Sequence, residues 1–183
     1  MKILKFVAVA ILAFLISSCL TVEKKKYKFE ITGKSTGKLT ITYVNIFSQM
    51  DDSTDVSEQD FDELINDYLN GEKFAESFPL AKDIQKRLYE ENGQLNGEVT
   101  MNFESLEAVR LYQMNKKSPI CFNVGQSIDS ESFESTNGTY GNKDYMNVVF
   151  WSPKAKSLEV TTTVNEYNPD DCVSLVKQYR RWK

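Results

Sequence analysis

Asp51, Ser53, Asp55, Ser57, Gln59 and Asp62 place oxygen-bearing side chains at the intervals of a twelve-residue calcium loop. Such a loop turns on a glycine at its sixth position and closes on a bidentate glutamate at its twelfth. Here those positions are Val56 and Asp62. Helix capping explains the same residues, because Asp55 or Ser57 can accept from the free amides of a helix start. The chain has no histidine. That removes the commonest general base near neutral pH, the commonest zinc ligand, and every Ser-His or Cys-His nucleophile pair. An enzyme built from this chain would work with carboxylates, tyrosines or lysines. Among 26 acidic residues, a pair spaced for glycoside hydrolysis can be recognised only in the fold. A solvated acidic surface accounts for the same composition. No catalytic, cofactor-binding or metal-binding residue is assigned.

Cysteine chemistry is more specific. Lys2 and Lys5 precede an apolar run over residues 6–16, followed by Ser17, Ser18 and Cys19. A basic end, a short apolar stretch and a small-residue cut site build an export signal. The run falls short of the ~20 apolar residues that cross a membrane. Ile16-Ser17-Ser18-Cys19 resembles the lipobox of bacterial lipoproteins, which signal peptidase II cleaves. The resemblance implies a signal peptide over 1–18, a diacylated (palmitate-type) thiol on Cys19, and a mature chain starting there. It also implies an exported protein held on the cell membrane or outer membrane, its partner being the bilayer itself. Leu20, in place of the aspartate that retains some lipoproteins in the inner membrane, tilts the expectation to the outer one. Residues 19–26 are then expected to be a lipidated tether. Its Lys24, Lys25 and Lys26 could rest on anionic head groups at about 1 kcal/mol each, or simply be solvated.

Losing Lys2 and Lys5 leaves 20 basic residues against 26 acidic ones. A net negative chain without a basic stripe argues against nucleic acid as a partner. Cys121 and Cys172 are an even pair in an exported chain, and a disulfide between them is expected. It would close a loop of roughly 50 residues and add about 4 kcal/mol by chain entropy. Two buried free thiols are the alternative.

The elements that must carry these residues follow from periodicity. Tyr27, Phe29 and Ile31 alternate with polar residues, as do Leu39, Ile41 and Tyr43 after a glycine-bearing turn. This predicts a hairpin whose second strand ends near Phe47. Phe61, Leu64, Ile65, Tyr68 and Leu69 form one helical stripe, stopped by Asn70-Gly71. Leu80, Ile84 and Leu88 predict a second helix ending at Asn92-Gly93, with a short helical turn near Phe74 and Phe78. Val99, Met101 and Phe103 mark a strand, and Ser105 caps a short helix through Leu106, Val109 and Tyr112. Residues 119–124 predict a strand containing Cys121. Asn137-Gly138 carries the two-residue hairpin signal, and the last strands cover 146–151 and 158–164. Asn168 and Pro169 open a closing helix whose inner face is Cys172, Leu175, Val176, Tyr179 and Trp182. Tyr140, Tyr145 and Trp151 crowd one turn-rich region, where they could stack on a sugar or partner, or cover a core. The expected fold is a single α+β domain over 27–183, mainly antiparallel sheet with about four helices.

Gly37 to Tyr43, Gly97 to Phe103 running into Ser105-Leu106, and Trp151 to Leu158 are together similar to LppM-type lipoprotein domains. The resemblance implies an envelope protein without established enzymatic chemistry, so it carries over no catalytic residue. Two function classes remain. One is a lipid-anchored binding or assembly protein with an envelope protein or glycan as partner. The other is a carboxylate-based hydrolase of envelope glycans or peptides. A deep cleft with two close carboxylates would favour the hydrolase, and an exposed aromatic patch would favour binding.

Overall fold

Tyr27, Phe29 and Ile31 on β1 (Leu20–Ile31) and Leu39 and Ile41 on β2 (Gly37–Gln49) are all buried. Alternate residues of a strand share one face, and this face carries the core. The computed structural model describes residues 19–124, 131–142, 146–164 and 168–183. The expected signal peptide (1–18) and Tyr145 lie outside the described residues. The predicted hairpin is present, with Phe29 opposite Leu39 and Tyr27 opposite Ile41.

The strand begins earlier than the tether reading allowed. Residues 20–26 ladder against β2, from Leu20 opposite Ser48 to Lys26 opposite Thr42. Lys24, Lys25 and Lys26 also pair with β10 (Ser157–Val164). Two of the lysines find carboxylates across the sheet: Lys24 Nζ lies 2.8 Å from Glu134 and Lys25 Nζ 2.6 Å from Glu131. The basic run is thus an interior strand, and Val22 enters the core.

Strands dominate one antiparallel domain. The larger sheet has the order β3 (Lys82–Glu91), β4 (Gln94–Phe103), β2, β1, β10, β7 (Glu131–Thr136), with β11 (Cys172–Ser174) beside the end of β2. The segment predicted as a second helix is β3. Ile84 and Leu88, four apart, satisfy both periods, and the turn decides between them. Asn92 and Gly93 take φ of 53° and 75°, the left-handed pair of a two-residue hairpin, so β3 folds straight back onto β4.

The smaller sheet has the order β5 (Leu111–Tyr112), β6 (Ile120–Asn123), β9 (Met146–Trp151), β8 (Thr139–Asn142). It covers one end of the large sheet, with the Phe122 ring 5.3 Å from Tyr27 and 5.7 Å from Phe29. Asn137-Gly138 does not make a hairpin. β7 joins the large sheet and β8 the small one, so the turn carries the chain between sheets. A Cβ on Gly138 would come within 2.5 Å of the Phe150 carbonyl oxygen. Asn137 Oδ1 accepts from Trp151 Nε1 at 2.7 Å and from the Glu159 amide at 2.8 Å.

Three short α-helices replace the expected four among the described residues: α1 (Ser57–Glu63), α2 (Lys73–Ser77) and α3 (Val176–Trp182). α1 runs on as a π-helical turn, Leu64–Leu69. The closing helix is shorter than predicted. Asn168 caps a 3₁₀ turn by accepting from the Asp170 amide at 3.2 Å. Cys172 to Ser174 then pair with β2, whose free edge there takes the ladder bonds a helix would have used. No described helix is long and apolar enough to cross a membrane.

The expected disulfide is absent: Cys121 and Cys172 are free thiols. Cys121 alternates with buried Ile120 and Phe122, so strand parity turns it away from the core. Its Sγ sits 3.6 Å from the Pro119 carbonyl oxygen. Cys172 lies in the other sheet, with Sγ 3.3 Å from the Asn168 carbonyl oxygen. Lost helical phase and strand parity together leave the two thiols in different environments.

α1 and α3 cover the other end of the large sheet through Phe61, Leu64, Leu175, Val176 and Tyr179 against Val22, Ile46 and Leu95. Beneath them Ser48 Oγ donates to Asp60 Oδ2 at 2.5 Å, and Gln178 Nε2 donates to Ser57 Oγ at 2.9 Å. Burial raises the Asp60 pKa, and the Glu63 charge adds to it, against the Ser48 hydroxyl and Cys19 amide bonds that lower it. A carboxyl whose folded pKa is raised contributes stability below its unfolded pKa and loses it as pH rises through the folded one. Asp60→Asn should therefore be more stable than the native chain at pH 7. That advantage should shrink as urea unfolding is repeated at lower pH through the carboxylate range. An advantage unchanged down to pH 3 would contradict this.

Candidate functional site

Alternate residues of β4 put Leu95, Gly97, Val99 and Met101 on its inner face, with Asn96 on the opposite face also buried. Leu95 belongs to the apolar cluster under the helices, and Val99 and Met101 to the one under the small sheet. Gly97 falls between them, in register with Tyr43 on β2 and Leu88 on β3. A Cβ there would meet Ile46 Cδ1 at 3.1 Å, Leu88 Cδ2 at 3.5 Å and Tyr43 Cβ at 3.7 Å. A glycine inside a strand often marks close approach by another group. Here the missing side chain opens the floor of a hollow.

The hollow has a volume of ≈ 540 Å³ and is half-open to solvent, a size typical of small-molecule sites. Val22, Ile41, Ile46 and Val99 line it from the sheet, and Leu64, Tyr68 and Leu69 from the π-helical turn. That turn is defined by the Asn70 amide reaching back to the Ile65 carbonyl at 2.9 Å. Such widened turns recur at functional sites. The Phe74 ring lies 5.8 Å from Tyr43 and 6.1 Å from Tyr68, an aromatic wall at pair-contact distances.

Burial pushes the Tyr43 phenol well above its ordinary range, with the Glu131 and Tyr68 charges adding and Arg110 opposing. It stays neutral, able both to donate and to accept. Neither the Tyr43 nor the Tyr68 hydroxyl makes a hydrogen bond to a described residue. The Gln178 amide oxygen is the only fully sealed side-chain polar atom without a partner among the described residues. The Tyr43 hydroxyl is therefore not fully sealed, and Tyr43 is among the residues that line the hollow.

The lining carries five cationic side chains and two carboxylates, Glu76 and Glu98. Three cations are engaged. Lys25 pairs with Glu131, a carboxylate with 1% side-chain exposure that also accepts from Tyr27 Oη at 3.2 Å and Thr162 Oγ1 at 2.7 Å. Lys73 pairs with Glu63 at 2.8 Å and Asp67 at 3.2 Å, and Arg87 with Glu98 at 2.9 Å. Lys86 Nζ donates to the Gly71 carbonyl at 2.6 Å. Arg110 Nη2 donates to the Ser77 carbonyl at 3.2 Å, its guanidinium 4.7 Å above the Phe78 ring. No described carboxylate forms an ion pair with Lys86 or Arg110. Arg110 also holds φ at 60°, a left-handed conformation costing a non-glycine residue about 1–3 kcal/mol.

Cys19 stands at the head of β1, its carbonyl accepting from the Gln49 amide at 2.9 Å. The next residue, Leu20, already lines the hollow. The calcium-like spacing does not converge. Asp51 bridges to Thr54, Asp55 accepts from the Ser57 amide at 2.9 Å, and the buried Ser57 hydroxyl accepts from Gln178 Nε2. Among the described residues no group of three or more His, Cys, Asp or Glu could hold a metal ion. Of the crowded aromatics, Trp151 is buried and Tyr140 stacks on Phe133 at 3.9 Å, the core-covering alternative. Sequence reasoning missed Tyr43, Tyr68, Phe74, Lys86, Gly97 and Arg110 as a group. Gly97 in the middle of an alternating strand was the available signal. Comparison of the chain with family models, curated proteins and solved structures returned no match.

Proposed function

We propose that this chain is a lipid-anchored protein of the cell envelope that binds a small, largely apolar ligand in the hollow above Gly97. The observation that carries the binding role is this half-open, largely apolar cavity, lined by the half-buried Tyr43, whose hydroxyl has no hydrogen-bond partner among the described residues. The similarity to lipobox and LppM-type sequences supports the anchor on Cys19. With Leu20 on the cavity wall, an anchor at Cys19 holds the cavity beside the membrane surface.

Two measurements test the two halves. Cys19→Ser should release the protein from the detergent phase and remove the lipid from its N-terminal mass. A lipid-modified, membrane-bound variant would overturn the anchor. For the cavity, 1-anilinonaphthalene-8-sulfonate should bind the Cys19→Ser chain saturably at one site. Gly97→Val narrows the floor and Leu69→Trp the opposite wall. Each should weaken dye binding about tenfold or more, the loss expected when a fully used apolar contact worth ~1.4 kcal/mol is removed, with near-UV circular dichroism retained. Non-saturable dye binding, or binding indifferent to both substitutions, would overturn the cavity reading.

A further inference from the structure

The charge around the hollow is arranged unevenly, and this narrows the ligand beyond "apolar". Most of the lining is aliphatic and aromatic, and its neutral polar side chains without a hydrogen bond to a described residue include the phenols of Tyr43 and Tyr68 and the hydroxyls of Thr21 and Ser77. Lys25, Lys73 and Arg87 are neutralised by carboxylates of the protein. Lys86 and Arg110 have only backbone carbonyls and a ring to hold them. Glu76 alone offsets these two cations within the lining, since Glu98 is engaged by Arg87. Two half-buried cations against the single carboxylate of Glu76 leave the lining net positive, and an arginine fork suits carboxylate or phosphate oxygens. The Ser77 carbonyl bond and the Phe78 ring fix the Arg110 guanidinium in place, and both residues line the hollow.

We propose that the hollow takes a single-chain anionic amphiphile, with its alkyl chain along the Tyr43–Phe74–Tyr68 wall and its carboxylate or phosphate head at Lys86 and Arg110. The proposal rests on the binding reading above and adds the ligand class to it. Because β1 enters the cavity wall directly from Cys19, the same membrane that would hold the anchor supplies such molecules.

The test uses the full chain carrying Cys19→Ser, with laurate, myristate, lysophosphatidate and tetradecanol as probes competing against the dye. Affinity should rise about fourfold for each added methylene while the chain still finds apolar wall. Myristate or lysophosphatidate should outbind the uncharged alcohol, and whichever is tighter assigns the head as carboxylate or phosphate. Lys86→Gln, and Arg110→Asn, chosen because asparagine tolerates the left-handed conformation, should each lower affinity for the acid about tenfold or more. Binding of tetradecanol should be unchanged. Equal affinity for acid and alcohol, no dependence on chain length, or indifference to both substitutions would overturn the proposal. Dye binding that no amphiphile displaces would overturn it while leaving the cavity reading intact, whereas failure of dye and amphiphiles alike would sink both. If the lipidated chain refuses probes that the Cys19→Ser chain binds, the occupant is the protein's own acyl group, and the proposal of a separate ligand falls.

Discussion

A chain beginning at Tyr27 should not fold cooperatively, whereas one beginning at Cys19 should unfold in a single transition. Residues 20–26 lie inside the large sheet, paired with β2 along their length and with β10 from Lys24 to Lys26. Removing them strips neighbours from both strands and leaves open edges that invite association. It also deletes Val22 from the core, a loss of about 1.5–3 kcal/mol for a buried aliphatic side chain. Glu131, with 1% side-chain exposure, loses Lys25. Tyr27 and Thr162 still donate to it, so losing this part-buried charge pair costs about 1.5–3 kcal/mol, the range for a hydrogen bond to a charged group. Against a total stability of about 5–15 kcal/mol, these losses, together with the stripped ladder bonds, consume most or all of what holds the domain together. Urea unfolding followed by far-UV circular dichroism and by tryptophan fluorescence checks this. Coincident, native-like transitions for residues 27–183 would contradict the placement of β1.

Phe29→Ala should cost about 3–5 kcal/mol, the usual range for emptying a buried aromatic site. Phe29 is fully buried near the C-terminal end of β1 and touches the Phe122 ring of the small sheet. It therefore holds two layers together and does more than fill one. The cavity cannot close by local adjustment, because Leu39 on β2 and Leu158 on β10, directly opposite across the ladders, are themselves fully buried. The denaturant midpoint should fall with its slope unchanged. Tyr112→Ala, on a side chain with 65% exposure in the same small sheet, should shift stability by no more than about 0.5 kcal/mol. A Phe29→Ala loss below about 1 kcal/mol would mean that the small sheet does not dock on β1.

Which parts of the molecule were legible depends on how local their cause is. The hairpin at Phe29 and Leu39, the strand through Val99 and Met101, and the helix start at Asp55 each announce themselves within a few residues. Strand alternation and capping are short-range effects. By itself the sequence also determined that histidine chemistry is excluded, and it marked Cys19 as the residue to test for a lipid. The errors all involve a choice that a partner makes. Ile84 and Leu88 suit either period, and the fold-back at Asn92-Gly93 made them a strand. The three lysines suit a solvated tether, and Glu134 and Glu131, more than a hundred residues away, made them interior. Cys121 and Cys172 were a plausible pair until strand parity turned one aside and the edge of β2 drew the other into a ladder. The hollow itself has no local signature, because it is made by the absence of a side chain at Gly97 between residues of three strands and a π-helical turn. Only tertiary structure could decide it, since cross-strand register sets which side chain faces which gap, and that register is fixed by ladder bonds and burial across the whole sheet.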